Sequence, residues 1–283
     1  MVNFNVWLDV VFTALYVVVL LGLAGHFFGN ILTGRARRRF GKKWEWPHHE
    51  GPEIPFLPKF LHFTHVFSMI MLAISGLYVR FPGFIPLWDG ARTSMRYVHY
   101  VFMIIVTINL VWRLWYAFFS ARRDYKEFAI TRQDVVTAPK VILYYIFVKP
   151  SKPHLAKYNV MQKMTYTLFA PLLILQAFTG FALLDELQFF GTNLQEVLIG
   201  WNLGVIVAST SYAGWIMRTT HYIINWLFIL LTTIHVYLSV TEDFPAFLNF
   251  FGLSFLGRDT AEHEEHGEDS HGRSPSPALT QGK

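Results

Sequence analysis

The chain reads as an all-α membrane protein, a bundle of transmembrane helices. Its 283 residues are 53% hydrophobic and 17% aromatic with only 15% charged, a composition too apolar for a water-soluble domain. Five apolar runs reach the ~20 residues needed to cross roughly 30 Å of hydrocarbon: Val6–Phe28, Phe60–Val79, Tyr97–Phe119, Met164–Leu184 and Thr219–Val240. The 24 Lys and Arg exceed the 19 Asp and Glu, but they fall in the loops between these runs. That placement reports topology rather than nucleic-acid binding.

The first run begins M-V-N-F-N-V-W-L-D without a basic leader and is longer than a signal-peptide core, so it is expected to be a retained helix. The loop Ile31–Lys59 carries seven Lys/Arg and Ser120–Lys163 carries nine, against three in Arg80–Arg96 and one in Asp185–Arg218. The positive-inside rule then places the N-terminus outside and the C-terminus in the cytoplasm of a multi-pass protein of the cell inner (cytoplasmic) membrane. Val141–Val148, V-I-L-Y-Y-I-F-V, is too short to span and is expected at the interface or against a partner. Leu194–Met217 mixes apolar residues with Asn, Gly, Ser and Thr and is expected to be interfacial or re-entrant, because a sixth span would break the charge asymmetry. The organisation expected is an additional N-terminal helix (1–30), a basic cytoplasmic loop (31–59), a four-helix core (60–244) and a polar, disordered cytoplasmic tail (245–283) ending H-E-E-H-G-E-D-S-H-G-R-S-P-S-P.

Cysteine is absent, which excludes disulfides, cysteine-held iron–sulfur clusters and covalent c-type haem, and leaves imidazole as the main ligand type. Histidines sit inside the apolar runs. His221 and His235 are separated by nearly four helical turns, so they lie about 40° apart around one helix and about 21 Å apart along it. His99 opens the third run on the outer side and His62 opens the second on the inner side. Depth therefore pairs His99 with His221 and His62 with His235. Two stacked bis-imidazole sites between helices are what two non-covalent b-type haems require, making 60–244 a four-helix dihaem core. Taken singly, each histidine could equally be an interhelical hydrogen bonder or part of a proton path. His65, one turn after His62, is such a bonder or an alternative ligand, and His26, near the inner end of the first run, reads as a packing residue.

Several motifs resemble those of the b-type cytochrome subunits of membrane-bound nickel–iron hydrogenases, a family close in design to formate dehydrogenase gamma subunits. They are K-F-L-H-F with Ser75–Gly76 thirteen residues on, R-Y-V-H-Y, V-W-R-L-W-Y-A-F, P-H-L-A-K-Y-N-V-M-Q-K before a helix ending T-G-F-A-L, and the terminal I-H-V-Y-L…E-D. The resemblance covers most of Phe56–Phe244 and carries the family's haem-ligand positions onto His62, His99, His221 and His235. The first helix and the acidic tail are additions to that pattern.

The resemblance implies that electrons pass from the iron–sulfur and catalytic subunits of a peripheral hydrogenase through two haems to a quinone, menaquinone or ubiquinone, near the inner surface. Lys59, Arg96 and Arg218 stand next to ligands, either as partners of haem propionates or as interfacial anchors. Tyr158, Asn159 and Gln162 are candidates for the quinone site, although Asn159 would also suit a helix N-cap. The equivalent cytochrome of a formate dehydrogenase or of a thiosulfate or polysulfide reductase shares these helix starts. A stand-alone ferric or ascorbate-type reductase fits the terminal motif less well, and a haem-free anchor would use the histidines only as hydrogen bonders.

Overall fold

A computed structural model describes residues 2–41, 46, 55–120, 123–151, 160–184, 188–189, 192–193, 197–198, 210–253 and 256. Among these, five helices are long and apolar enough to cross a membrane: α1 (Val2–Leu32), α3 (Phe56–Arg80), α4 (Ala91–Phe119), α6 (Val160–Phe181) and α7 (Thr210–Glu242). Shorter helices lie between or after them: α2 (Arg35–Phe40), α5 (Arg132–Tyr145) and α8 (Phe244–Phe250). A two-residue ribbon pairs Gln188 with Asn193 and Phe189 with Thr192. The large apolar side chains point outward to an unusual degree for a soluble fold, with Trp7 and Leu21 both 67% exposed. Such surface is stable only against hydrocarbon.

Small residues bring α3 and α4 together. Ser68 and Ser75 are buried on α3, and buried Asn109 of α4 donates Nδ2–H to the Leu61 carbonyl of α3 at 2.9 Å. In a bilayer, where apolar contact with a neighbouring helix is no better than contact with lipid, close approach and interhelical hydrogen bonds hold helices in place. The additional helix α1 runs alongside α7 in the same direction. Asp9 accepts from Tyr222 at 2.5 Å, Phe12 stacks on Trp226 at 5.8 Å, Tyr16 meets Thr233 at 3.4 Å, and His26 meets Tyr237 at 2.8 Å. Arg80, at the end of α3, closes the same corner by pairing with Asp9 at 2.9 Å.

Three sequence expectations change at the basic end of the bundle. Val141–Val148 is divided: Val141 is fully buried and Tyr144 nearly so, where the last turn of α5 meets Arg35 and Arg39 of α2, while Ile142, Ile146 and Val148 stay exposed to an interface or a partner. The segment 31–59 is not all loop, since it contains α2 and the first turn of α3. The polar tail does not begin at 245, because F-P-A-F-L-N-F forms α8, whose Phe250 ring lies 4.9 Å from the His62 ring, while Phe251 lies 5.1 Å from Phe63. Seven residues are too few to show a helical period, and they fold because their phenylalanines find partners elsewhere in the chain, Phe250 on His62 of α3 and Phe244 on Phe40 of α2. Of Leu194–Met217, the part from Thr210 onward is the first two turns of α7, while 194–196 and 199–209 lie outside the described residues.

A reciprocal cap starts α5, with Thr131 Oγ1 accepting from the Asp134 backbone N–H and Asp134 accepting from the Thr131 N–H at 2.8 Å. The same carboxylate pairs with Lys163 of α6 at 2.9 Å. The Lys163 ammonium, together with the Thr131 donors, holds the Asp134 carboxyl well down, at about 2.

Candidate functional site

The geometry of the site begins with two dipeptides. Ser75–Gly76 of α3 and Thr179–Gly180 of α6 each present a buried hydroxyl followed by a residue without a side chain. Ser75 Oγ lies 3.0 Å from Nδ1 of His99, and Thr179 Oγ1 lies 3.0 Å from Nδ1 of His221. Each glycine makes room for the ring beside it. A Cβ on Gly76 would stand 3.2 Å from His99 Cε1, and one on Gly180 would stand 3.2 Å from His221 Cε1. Both distances are tighter than ordinary carbon contact, so the imidazoles fit because these positions are glycine.

Each hydroxyl has one proton, and backbone carbonyls take both. Ser75 donates to Met71 O at 2.6 Å and Thr179 donates to Leu175 O at 2.9 Å, the usual i−4 bond of hydroxyls in membrane helices. The hydroxyl oxygens can therefore only accept from the imidazoles, which places the proton of His99 and of His221 on Nδ1 and leaves an Nε2 lone pair on each. This is the tautomer a metal ligand needs, set by an outer hydrogen bond in the way metal-bound histidines are commonly set.

The His99 and His221 ring centroids are 6.3 Å apart at 67°. Metal–imidazole bonds of roughly 2 Å put the centroids of a trans pair roughly 6 Å apart, so the spacing suits one metal centre between them. At the other depth, His62 and His235 lie close enough to act on one another electrostatically, and Arg113 of α4 acts on both His62 and His65. The separation of His221 and His235 along α7 puts the two pairs about 21 Å apart. Among the described residues no group of three or more His, Asp or Glu is placed to hold a metal ion.

The remaining sequence candidates are placed unevenly. Arg96 folds over Tyr100, one turn along α4, with Nη2 3.0 Å from its hydroxyl. Arg218 is exposed on α7, and Lys59 is half-buried in the first turn of α3. Tyr158 and Asn159 lie outside the described residues, and Gln162 belongs to the first turn of α6. The structure gives roles to residues to which the sequence motifs assign none. Besides Ser75, Thr179 and Arg113, Gln176 donates to His221 Nε2 at 3.2 Å, where its amide occupies the lone pair a metal would take.

A transmembrane helix bundle with an imidazole pair facing one another between its helices has the architecture of a membrane b-type cytochrome. The chain belongs to the prokaryotic cytochrome b561 family, which it matches over residues 54–252, more than half its length. It is accordingly a multi-pass membrane electron-transfer protein of the haem b type. It is also similar to the probable Ni/Fe-hydrogenase B-type cytochrome subunit of Rhizobium leguminosarum bv. viciae, at 25% identity over 193 residues, covering 64% of this chain and 77% of that protein. Helices α1 and α2 lie outside the family match.

The hydroxyl partners carry a prediction. Replacing Ser75 with Ala or Thr179 with Val would remove the acceptor from one imidazole and, where that imidazole holds a haem iron, would weaken it as a donor and favour the ferrous state. A hydrogen bond worth roughly 1 kcal/mol net corresponds to at most about 40 mV for one electron. Redox titration is expected to raise the midpoint of one haem by roughly 10–40 mV in each variant while haem content stays constant. Unmoved potentials in both would show that the hydroxyls only pack the helices.

Proposed function

We propose that this chain is the dihaem b subunit of a respiratory oxidoreductase complex, taking electrons from a peripheral hydrogenase and passing them across the bilayer to quinone. The observation that carries it is the His99–His221 pair, with ring centroids at 6.3 Å and Nδ1 of each ring bonded to a hydroxyl. In this reading His99 and His221 hold one haem, and His62 and His235 the other. When bound, the haems supply one-electron transfer, and the chain sets their spacing, ligation and burial.

The charge asymmetry supports an N-terminus outside and a C-terminus in the cytoplasm of the inner membrane, so the His99–His221 pair is the entry site. Lys59, Arg96 and Arg218 each stand three residues before a ligand histidine, one turn away on the same face, where a propionate would meet them. Tyr158, Asn159 and Gln162 supply hydrogen-bond donors for quinone, menaquinone or ubiquinone, near the inner pair. The hydrogenase partner is supported by the similarity to the Rhizobium protein. A formate dehydrogenase or a thiosulfate or polysulfide reductase would present the same entry site with a different peripheral subunit.

A pyridine haemochrome assay on the detergent-purified chain tests the reading. About two non-covalent haems b per chain are expected, one for each imidazole pair. A folded chain with no haem would make it a membrane anchor whose histidines only join helices, and one haem would leave a single functional pair.

A further inference from the structure

Where α1 ends, the chain turns through Thr33 and Gly34 straight into α2. Gly34 has φ of +71°, a conformation that favours glycine and that makes so short a turn possible. Arg35 then reaches the carbonyls of Tyr144 and Lys149 at the end of α5, and Arg39, one turn on, reaches Glu242 and the Thr241 carbonyl at the end of α7. Both arginines are buried. One face of α2 is therefore pinned across the basic end of the bundle.

Arg37 and Arg38 stand on its other sides. At 3.6 residues per turn Arg37 points about 180° away from the Arg35–Arg39 face, and Arg38 points to its flank. Both are exposed, and among the described residues neither makes an ion pair or a side-chain hydrogen bond. Arg38 leans back over the turn, with Nη1 3.9 Å from where a Cβ on Gly34 would stand. Two guanidinium groups held at a surface without a counter-charge attract an anion, and their planar forks match phosphate oxygens.

An apolar track leads to these arginines along α1. Leu21, Gly25, Phe28 and Leu32 recur at the spacing of a single helix face. All four are exposed, Leu21 by 67%, Phe28 by 61% and Leu32 by 86%. Nothing stands within 4 Å of a Cβ built on Gly25, so the track is open along its middle. It ends at the turn over which Arg38 leans. Hydrocarbon along the helix and phosphate at its end is the shape of a phospholipid, and basic residues immediately after a membrane helix attract anionic head groups.

We propose that an anionic phospholipid docks here, with its phosphate at Arg37 and Arg38 and an acyl chain along Leu21, Gly25, Phe28 and Leu32. The chain's own segment 259–269, with six Asp and Glu, matches the charge but brings no hydrocarbon to the track, whereas a lipid meets both. Helices α1 and α2 lie outside the 54–252 match, so the site belongs to the additional helices and not to the cytochrome core.

The test titrates the detergent-purified full chain with phosphatidylglycerol and, separately, with phosphatidylcholine, counting bound lipids by native mass spectrometry and checking the fold of every variant by circular dichroism. Each guanidinium is expected to contribute roughly fivefold at low salt, so the wild type should prefer phosphatidylglycerol by roughly thirtyfold. The preference should shrink as ionic strength rises. Arg37→Gln and Arg38→Gln should each lose roughly fivefold of it and the double variant all of it. Arg132→Gln, which removes an exposed arginine at the start of α5, should keep it whole. A preference that survives in the double variant, or that falls as far in Arg132→Gln, would overturn the proposal in favour of a diffuse basic rim. A wild type without preference would also overturn it, and if the preference then appeared in a chain ending at 257, the acidic segment would be the occupant.

Discussion

Replacing His221 with alanine is expected to remove about half of the b-haem absorbance of the purified chain, because a macrocycle held between helices by two imidazoles loses its seat with either one. His99→Ala should give the same spectrum, since the two ring centroids lie 6.3 Å apart and in the proposed reading hold one haem. The double variant should lose no more than either single one, the non-additivity expected of residues that act as a pair. His235→Ala and His62→Ala should remove the other haem, leaving the His99–His221 centre with its own potential. Electron flow from the peripheral subunit to quinone should fall to background in all four single variants, as each breaks the only series of carriers in this reading. His65→Ala is the informative control. It sits one turn from His62 and should retain both haems; loss of haem in His65→Ala but not in His62→Ala would move the inner ligand by one turn. Full absorbance in His221→Ala would dissolve the pairing.

What could be read from sequence and what could not divide along a physical line. The five spans and the depths of His62, His99, His221 and His235 follow from run length and helical rise, both local properties of the chain. Which helix touches which is not local. The bond from Ser75 to His99 joins α3 to α4, and that from Thr179 to His221 joins α6 to α7. The one visible signal was the repeated hydroxyl–glycine dipeptide, noticed as a motif but silent about which ring it serves. His26 looked isolated on the first helix because its partner Tyr237 stands 211 residues away. Arg113 hid inside V-W-R-L-W, where an interfacial anchor and a residue beside a ligand look alike. P-A-F-L-N-F falls in the expected tail because a single helical turn or two carries no period, and its packing depends on His62 of a helix far upstream.

Arg39→Ala is expected to destabilise the chain more than any other substitution outside the histidine pairs. Arg39 is 6% exposed and Glu242 3% exposed, and the guanidinium meets both carboxylate oxygens at 2.7 and 2.9 Å. It also donates to the Thr241 carbonyl and to the Tyr144 hydroxyl. Arg35 joins from the previous turn, donating to the carbonyls of Tyr144 at 3.0 Å and Lys149 at 2.7 Å with its guanidinium carbon 4.0 Å from the centre of the Tyr144 ring. Through these bonds α2 ties α5 to the last turn of α7. Removing one partner of such a buried pair strands a charge away from water, at a cost of about 3–5 kcal/mol. Thermal unfolding in detergent should show a large drop in midpoint for Arg39→Ala. Arg39→Lys should recover only part of it, because an ammonium cannot span both carboxylate oxygens as a planar fork does. Glu242→Gln should cost less than Arg39→Ala, since the amide keeps one oxygen as an acceptor. The haem spectrum of the surviving folded fraction should be unchanged, because α2 lies outside the family match and carries none of the four proposed ligands. An unchanged midpoint in Arg39→Ala would mean that the ion pair is no better than water for either charge. The additional helix would then be held to the core by its contacts with α7, by the Arg80–Asp9 pair and by Phe147 and Tyr145 beside His26.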